Sequence, residues 1–234
     1  MKFDIAVVGG GMVGASFALK LAQAGLSVVL LEKHPAKAVS KDESFDLRIS
    51  AINRRSETWL RELGAWQLMH PERICVYQQL RAFEQEQPPL DFTAAEIAEP
   101  YLGHMVENNQ IQAALWQQFP TTLTTLCPAT VNSIQHHPDF VSLKTEEHGE
   151  IIAKLVIGAD GANSQIRQLA GIGSNGWQYQ QACMLIHIQT AYPHLEMTWQ
   201  QFTEQGPRAY LPLPGHDGSL VWYDDANRIA QLVA

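Results

Sequence analysis

The chain has little that would staple it, anchor it or draw it to polyanions. Its three cysteines, Cys75, Cys127 and Cys183, lie far apart and form no CxxC pair, which excludes a disulfide framework and fits a reducing cytoplasm. No apolar run approaches the ~20 residues that cross a bilayer. The start, Met-Lys-Phe-Asp, enters an apolar strand at once, without the basic and then apolar stretch of a cleavable signal. A soluble, cytoplasmic protein is expected, at most peripheral to a membrane. Basic side chains are outnumbered, 16 against 24 acidic, for a net charge of −8. That argues against nucleic acid, whose binding draws on Lys and Arg, and against purely electrostatic adhesion to anionic lipid. The nine histidines show no HxxxH or HExxH spacing and no G-x-S-x-G occurs, so neither a metal site nor a serine nucleophile is expected. Repeats and low-complexity linkers are absent. What remains is an ordinary composition in 234 residues, 46% hydrophobic and 17% charged, enough for one or two domains with a real core.

The first thirty-two residues carry the strongest signal. Phe3 to Val8 is a short apolar run of the kind that forms a buried parallel strand, and it leads into Gly9-Gly10-Gly11-Met12-Val13-Gly14. Gly9 permits the tight turn, Gly11 lets backbone approach a pyrophosphate, and Gly14 lets the next helix pack close to the sheet. That helix is expected over Val13 to Ala24, with Phe17, Leu21 and smaller apolar residues on its apolar face and Gly25 as the stop. Its first amides and dipole favour a diphosphate. A second apolar strand, Val28 to Leu31, ends on Glu32, 18 residues after Gly14, where an acid accepts hydrogen bonds from an adenosine ribose. Glu32 would repel a 2′-phosphate, so the tightly held nucleotide is expected to be FAD or NAD. Met12, Val13 and Lys33 complete this candidate set.

A second literal match to the glycine pattern, Gly171-Ile172-Gly173-Ser174-Asn175-Gly176, has the wrong context. It follows the polar, helix-like SQIRQLA instead of an apolar strand, so a helix stop and turn is the better reading. One dinucleotide-binding unit is therefore expected.

Further on, Leu155 to Gly158 reads as a buried strand ending in Ala159-Asp160-Gly161, with Asn163 or Ser164 able to cap a short helix. Asp160 falls at the carboxyl end of a strand, where open α/β sheets place ligands, although Asp-Gly is also a plain turn pair. The phrase GADGANSQIR resembles the Asp-Gly motif of the flavoprotein aromatic hydroxylases, the group that includes para-hydroxybenzoate hydroxylase. VVGGGMVG, LRISAIN and MVENNQIQAALW agree with it, and LVIGADGANSQIRQLAGIG, TWQQFTEQGPRAYLPL and SLVWYD are similar to the ubiquinone-biosynthesis branch. The resemblance covers essentially the whole chain.

It implies bound FAD, NAD(P)H as co-substrate, and transfer of one oxygen atom from O₂ to a ring carbon of a prenylated quinol. It also implies roles near FAD for Asp160 and Gly161, for Arg48 along the ribityl–pyrophosphate region, and for Asn108 near the flavin linker. An N-cap role for Asn108 is chemically sufficient by itself. No catalytic side chain is assigned. The family's third motif, Gly-Asp followed by an Ala-His-Pro-Gly type of stretch, has no counterpart here, so a C-terminally truncated chain with an incomplete flavin site is expected. Oligomeric state and association with other biosynthetic enzymes stay open. So do two other functions, a different flavoprotein oxidase or dehydrogenase and an inactive FAD-binding fragment.

The expected fold is α/β: a discontinuous, Rossmann-like FAD-binding βαβ domain with a smaller, mainly antiparallel substrate sheet. The first would take 1–72 and 100–175, the second 73–99 and 176–234. Strands are expected over Arg73–Phe83, Thr130–Gln135, Phe140–Thr145, Cys183–Thr190, Met197–Phe202, Ala209–Leu213 and Ser219–Tyr223. Aromatics such as Trp199, Tyr210 and Trp222 are expected mainly in sheet packing.

Overall fold

A computed structural model describes residues 1–85, 87–193 and 195–233; Glu86, His194 and Ala234 lie outside the described residues. The elements begin with β1 (Lys2–Val8), α1 (Met12–Gln23), β2 (Val28–Leu31), β3 (Ile49–Asn53), α2 (Arg54–Glu62), β4 (Cys75–Tyr77) and β5 (Gln79–Phe83). Next come β6 (Leu90–Thr93), β7 (Gly103–Glu107), α3 (Asn108–Gln117), β8 (Thr124–Leu126), β9 (Val131–His136), β10 (Val141–Thr145) and β11 (Gly149–Gly158). The chain continues through α4 (Gln165–Leu169), β12 (Gln181–Gln189), β13 (Met197–Gln201), β14 (Arg208–Pro212), β15 (Asp217–Asp225) and α5 (Ala226–Val233). Contacts gather them into two compact units. One comprises Met1–Val39, Leu60–Met69 and Ile111–Asn175; the other comprises Ser40–Trp59, His70–Gln110 and Gly176–Ala234.

The first unit is built on a six-stranded sheet in the order β8-β2-β1-β11-β10-β9. β1 runs parallel to both β2 and β11, β8 is parallel to β2, and β10 and β9 add an antiparallel margin. The apolar runs Ile5–Val8 of β1 and Val28–Leu31 of β2 suit strands covered on both faces. Alternation then divides them. Ala6, Val8, Val29 and Leu31 join Leu143 and Ile151 on one side, while Ile5, Val7, Val28 and Leu30 meet Ala18 and Ala22 of α1 on the other.

α1 stops as expected: Gly25 adopts φ +85°, and the Gly25 and Leu26 N–H groups donate to the carbonyls of Ala22 and Leu21 at 3.0 and 3.2 Å. Leu21 packs against the core beside Ala18 and Ala22 as expected, whereas Phe17 does not. Phe17 is 49% exposed, and the helix packs through Gly14, Ala15, Ala18, Leu19 and Ala22. The reason is direction, because at 3.6 residues per turn Phe17 stands roughly 100–160° around the helix from Ala15, Ala18 and Ala22. The decoy glycines form the expected helix stop: Gly171 at φ +69° follows α4, and Ile172 N–H donates to Arg167 O at 3.0 Å.

The second unit holds a six-stranded sheet, β12-β15-β14-β13-β5-β6, and a three-stranded one, β3-β7-β4. All pairs are antiparallel except β13 with β5. The expected single strand from Arg73 to Phe83 is in fact two. It breaks at Gln78, whose N–H donates to Glu196 O at 2.7 Å, so that β4 joins the small sheet and β5 the large one. Arg73 precedes both, in a 3-10 turn, Pro71–Arg73. Cys75, Tyr77, Met105 and Leu213 form this unit's core, backed by Phe45, Ile49 and Leu211. Burial pushes the Cys75 thiol up to about 12, with the Glu196 charge adding to it. Among the described residues, no helix is long and apolar enough to cross a membrane.

Candidate functional site

The turn out of β1 needs glycine for geometric reasons that can be read atom by atom. Gly9 takes φ +105°, and a Cβ there would lie 2.3 Å from Ala159 O. A Cβ on Gly14 would lie 1.8 Å from Gly9 O, so the third glycine is what allows α1 to start against the turn. At Gly11 the opposite holds: a Cβ would meet nothing within 4 Å. Bare backbone there borders open space, and α1 starts from Gly11 without a side-chain cap. Its first amides have no partner within the helix, which is the condition under which a helix start favours an anion.

Gly10 is held at both ends. Its N–H donates to Glu32 Oε2, and its carbonyl accepts from Gln112 Nε2 and Trp116 Nε1, each at 2.8 Å. Glu32 closes β2, and its Oε1 accepts the His34 N–H at 3.0 Å. Each carboxylate oxygen still has a lone pair for a further donor. Lys33 Nζ reaches Gln165 Oε1 at 3.4 Å.

Across the cleft, Asp160 caps α4. Its Oδ1 accepts from Ser164 Oγ at 2.5 Å, and its Oδ2 from the Gln165 and Ile166 N–H groups at 2.7 and 3.1 Å. Burial alone would raise the Asp160 pKa, but the donated hydrogen bonds outweigh it and leave the pKa below its ordinary value. Ser164 accepts in turn from Arg167 N–H at 3.0 Å.

Gly9, Gly11, Glu32, Lys33, Asp160 and Gly161 all line one cleft of about 300 Å³. Met12, Val13 and Gly14 open α1 beside it. Arg48 and Asn108 belong to the other unit, where they meet each other: Asn108 N–H donates to Arg48 O at 3.0 Å. Asn108 Oδ1 accepts from Ser50 Oγ at 2.5 Å, and Arg48 N–H donates to Asp46 Oδ1 at 2.8 Å. The loop ahead of Arg48 is gripped by buried Arg73, which donates to the carbonyls of Lys41, Glu43 and Ser44 at 3.1, 2.7 and 3.3 Å.

Sequence reasoning missed Gln112 and Trp116, and with them the apolar cleft wall of Ala129 and Val131. One signal for the first two was available. The pattern asks for no glycine at position 10, yet glycine stands there. A Cβ would lie 2.6 Å from Trp116 Cζ2 and 3.0 Å from Glu32 Cγ.

A backbone cradle beside a helix start, facing an acid at the end of the next strand, suits a nucleoside diphosphate with an unphosphorylated ribose. Residues 2–223 match the FAD binding domain family. The chain belongs to that family. It is 46% identical over 231 residues to the 3-demethoxyubiquinol 3-hydroxylase of Escherichia coli K12, a match covering 98% of this chain and 59% of that one. It is 32% identical to the ubiquinone hydroxylase UbiL of Rhodospirillum rubrum, over 99% of this chain and 54% of that one. This chain thus spans 59% and 54% of the length of these two relatives. Among solved structures, the probable FAD-dependent monooxygenase PqsL of Pseudomonas aeruginosa superposes with a TM-score of 0.81 at 16% identity, over 99% of this chain and 63% of that one. That likeness shows the α/β fold with its antiparallel sheet.

Proposed function

We propose that the cleft of the first unit holds the adenosine diphosphate part of FAD, and that the protein is an FAD-dependent monooxygenase. In this reading it uses NAD(P)H and O₂ to hydroxylate a prenylated benzoquinol in ubiquinone biosynthesis. The observation that carries the cofactor assignment is the meeting of Gly11, Glu32 and Asp160 around one cleft. The open space at Gly11 admits a diphosphate where any side chain would intrude. The amides of Gly11, Met12 and Val13 would face the diphosphate, and Glu32 would accept from the ribose hydroxyls. Arg48 and Asn108 are assigned to the same cofactor on the family resemblance alone. When bound, FAD supplies the redox and oxygen chemistry, and the protein supplies binding, orientation and exclusion of water.

The substrate class rests on the relatives' names and the 46% identity to the E. coli protein. The large antiparallel sheet of the second unit is assigned to substrate binding. A prenylated quinol dissolves in the bilayer, so a station at the inner-membrane surface goes with this substrate.

Two measurements test the reading. Titration with FAD should give saturable binding and a flavin band near ~450 nm, and Glu32→Ala should weaken it by ~1–3 kcal/mol through ribose hydroxyls left unpaired. No binding of either FAD or ADP would remove the cofactor assignment. In air, the full-length protein should oxidise NAD(P)H faster when a demethoxyubiquinol analogue is added. Turnover indifferent to that addition would sink the substrate, and turnover without NAD(P)H would mark an oxidase.

A further inference from the structure

The peptide joining Gly10 to Gly11 is fixed from outside the glycine loop. Two side chains one turn apart on α3, Gln112 and Trp116, both donate to the Gly10 carbonyl at 2.8 Å. The preceding N–H of the same residue is tied to Glu32. Gly9 and Gly11 line the cleft, whereas Gly10, Gln112 and Trp116 do not. The carbonyl of Gly10 therefore points at α3 and away from the ligand side.

A trans peptide is planar, with its C=O and N–H in opposite directions. Fixing the Gly10 oxygen towards α3 thus sends the Gly11 N–H the other way, towards the cleft. Among the described residues, nothing accepts from that N–H. If the peptide were to rotate, a carbonyl oxygen would face the diphosphate instead, exchanging an attraction for a repulsion. A glycine-rich loop is otherwise free to make that rotation, because glycine restricts neither dihedral.

We infer that Gln112 and Trp116 are positioning residues for the nucleotide diphosphate: together they clamp the Gly10 carbonyl and so aim the Gly11 amide into the cleft. This rests on the proposal that the cleft takes an adenosine diphosphate group. It also accounts for glycine at position 10. The clamp brings Trp116 Cζ2 within 2.6 Å of where a Cβ would sit, so the approach that forms the hydrogen bond also excludes a side chain.

The test compares ADP with adenosine. Trp116→Phe keeps the ring that packs on Phe119 (centroids 5.5 Å apart) and removes the donor. Gln112→Met keeps the length and removes the amide. ADP affinity is read by calorimetry and adenosine affinity by NMR titration, with thermal unfolding of each ligand-free variant as the control for folding. The double variant should bind ADP roughly tenfold or more weakly, from the loss of both hydrogen bonds. Adenosine, which still meets Glu32 but has no phosphate, should change less than about twofold. The Gly11 amide proton should shift downfield when ADP binds the wild type, and less so in either single variant.

Unchanged ADP affinity would overturn the inference, and so would equal weakening of both ligands, which would signal general loosening of the site. Should the double variant not fold, the Gly11 shift in Gln112→Met alone decides: a shift equal to the wild type's overturns the clamp. Failure of the wild type to bind ADP would instead refute the underlying cofactor assignment.

Discussion

Arg73 and Glu107 meet as a bidentate ion pair in the interior of the second unit: Nε lies 2.7 Å from Oε2 and Nη2 lies 2.7 Å from Oε1. The side chains are 3% and 0% exposed. Glu107 Oε1 also accepts the Asp46 N–H at 2.7 Å, and the guanidinium packs on the Phe45 ring 4.5 Å from its centroid. The pair thus holds a stretch of backbone as well as itself. The hydrogen bond to Glu107 keeps the Arg73 pKa raised, although burial works against it.

Removing one partner leaves the other charged and buried. Glu107→Ala should therefore cost about 3–5 kcal/mol, while the double change Arg73→Met with Glu107→Leu should cost less, because no uncompensated charge remains. Urea unfolding monitored by circular dichroism measures both. A double variant as unstable as the single would assign the cost to the lost carbonyl contacts at Lys41, Glu43 and Ser44.

Two glycines of the first unit should respond differently to alanine. At Gly14 the new Cβ would collide with Gly9 O, and Gly14→Ala should cost about 1–3 kcal/mol or more and abolish ADP binding. At Gly25 there is open space but φ is +85°, so Gly25→Ala should cost about 1–2 kcal/mol and leave ADP affinity unchanged. Calorimetric titration beside thermal melts separates the two effects.

Asp160 should make stability depend on acid. Its folded pKa lies below its ordinary value of 3.8, so its stabilisation is fully present above that pH and is lost as pH falls through the folded value. Asp160→Ala should destabilise by about 1–2 kcal/mol at neutral pH, through the lost capping bonds. The difference from wild type should shrink as pH drops below the ordinary value. Guanidinium unfolding at pH 7 and in acid checks it, and a constant difference would place the cost outside the carboxylate's charge.

The thiols should label in an order set by burial. Cys183 is exposed, Cys127 intermediate and Cys75 buried. With its thiol pushed up to about 12, Cys75 should resist alkylation at pH 8 until the protein unfolds, since the thiolate is the reactive form. Peptide mass mapping after timed iodoacetamide treatment reports the order directly.

What could be read from the sequence was what is local in it. The turn at Gly9, the helix and its stop at Gly25, and the acid at Glu32 all lie within one strand–helix–strand span, where each residue's task follows from its neighbours. Phe17 is misplaced because the apolar residues of α1 surround much of the helix, and the sequence alone does not say which arc turns to the sheet. The break at Gln78 was hidden because residues on either side are equally strand-like, and the partner that splits them, Glu196, is 118 positions away. Gln112 and Trp116 escaped for the same reason, standing 102 and 106 positions from Gly10. Arg73 and Glu107 read as ordinary polar residues at the margins of strands, and only their meeting makes them an interior pair.

The central position of β1 has a consequence for synthesis on the ribosome. One edge of β1 faces a partner close by in the sequence, β2, with Ile5 opposite Val28. The other edge waits for β11, Lys2 opposite Ile152 through Val8 opposite Gly158. At ~5–20 residues per second, that interval is on the order of ten seconds. Throughout it, an apolar strand presents an open row of backbone donors and acceptors, the kind of edge that recruits other chains. The glycine loop hangs from that strand. It stays open until β11 has been translated, which makes the nascent chain dependent on chaperones at this loop over that interval.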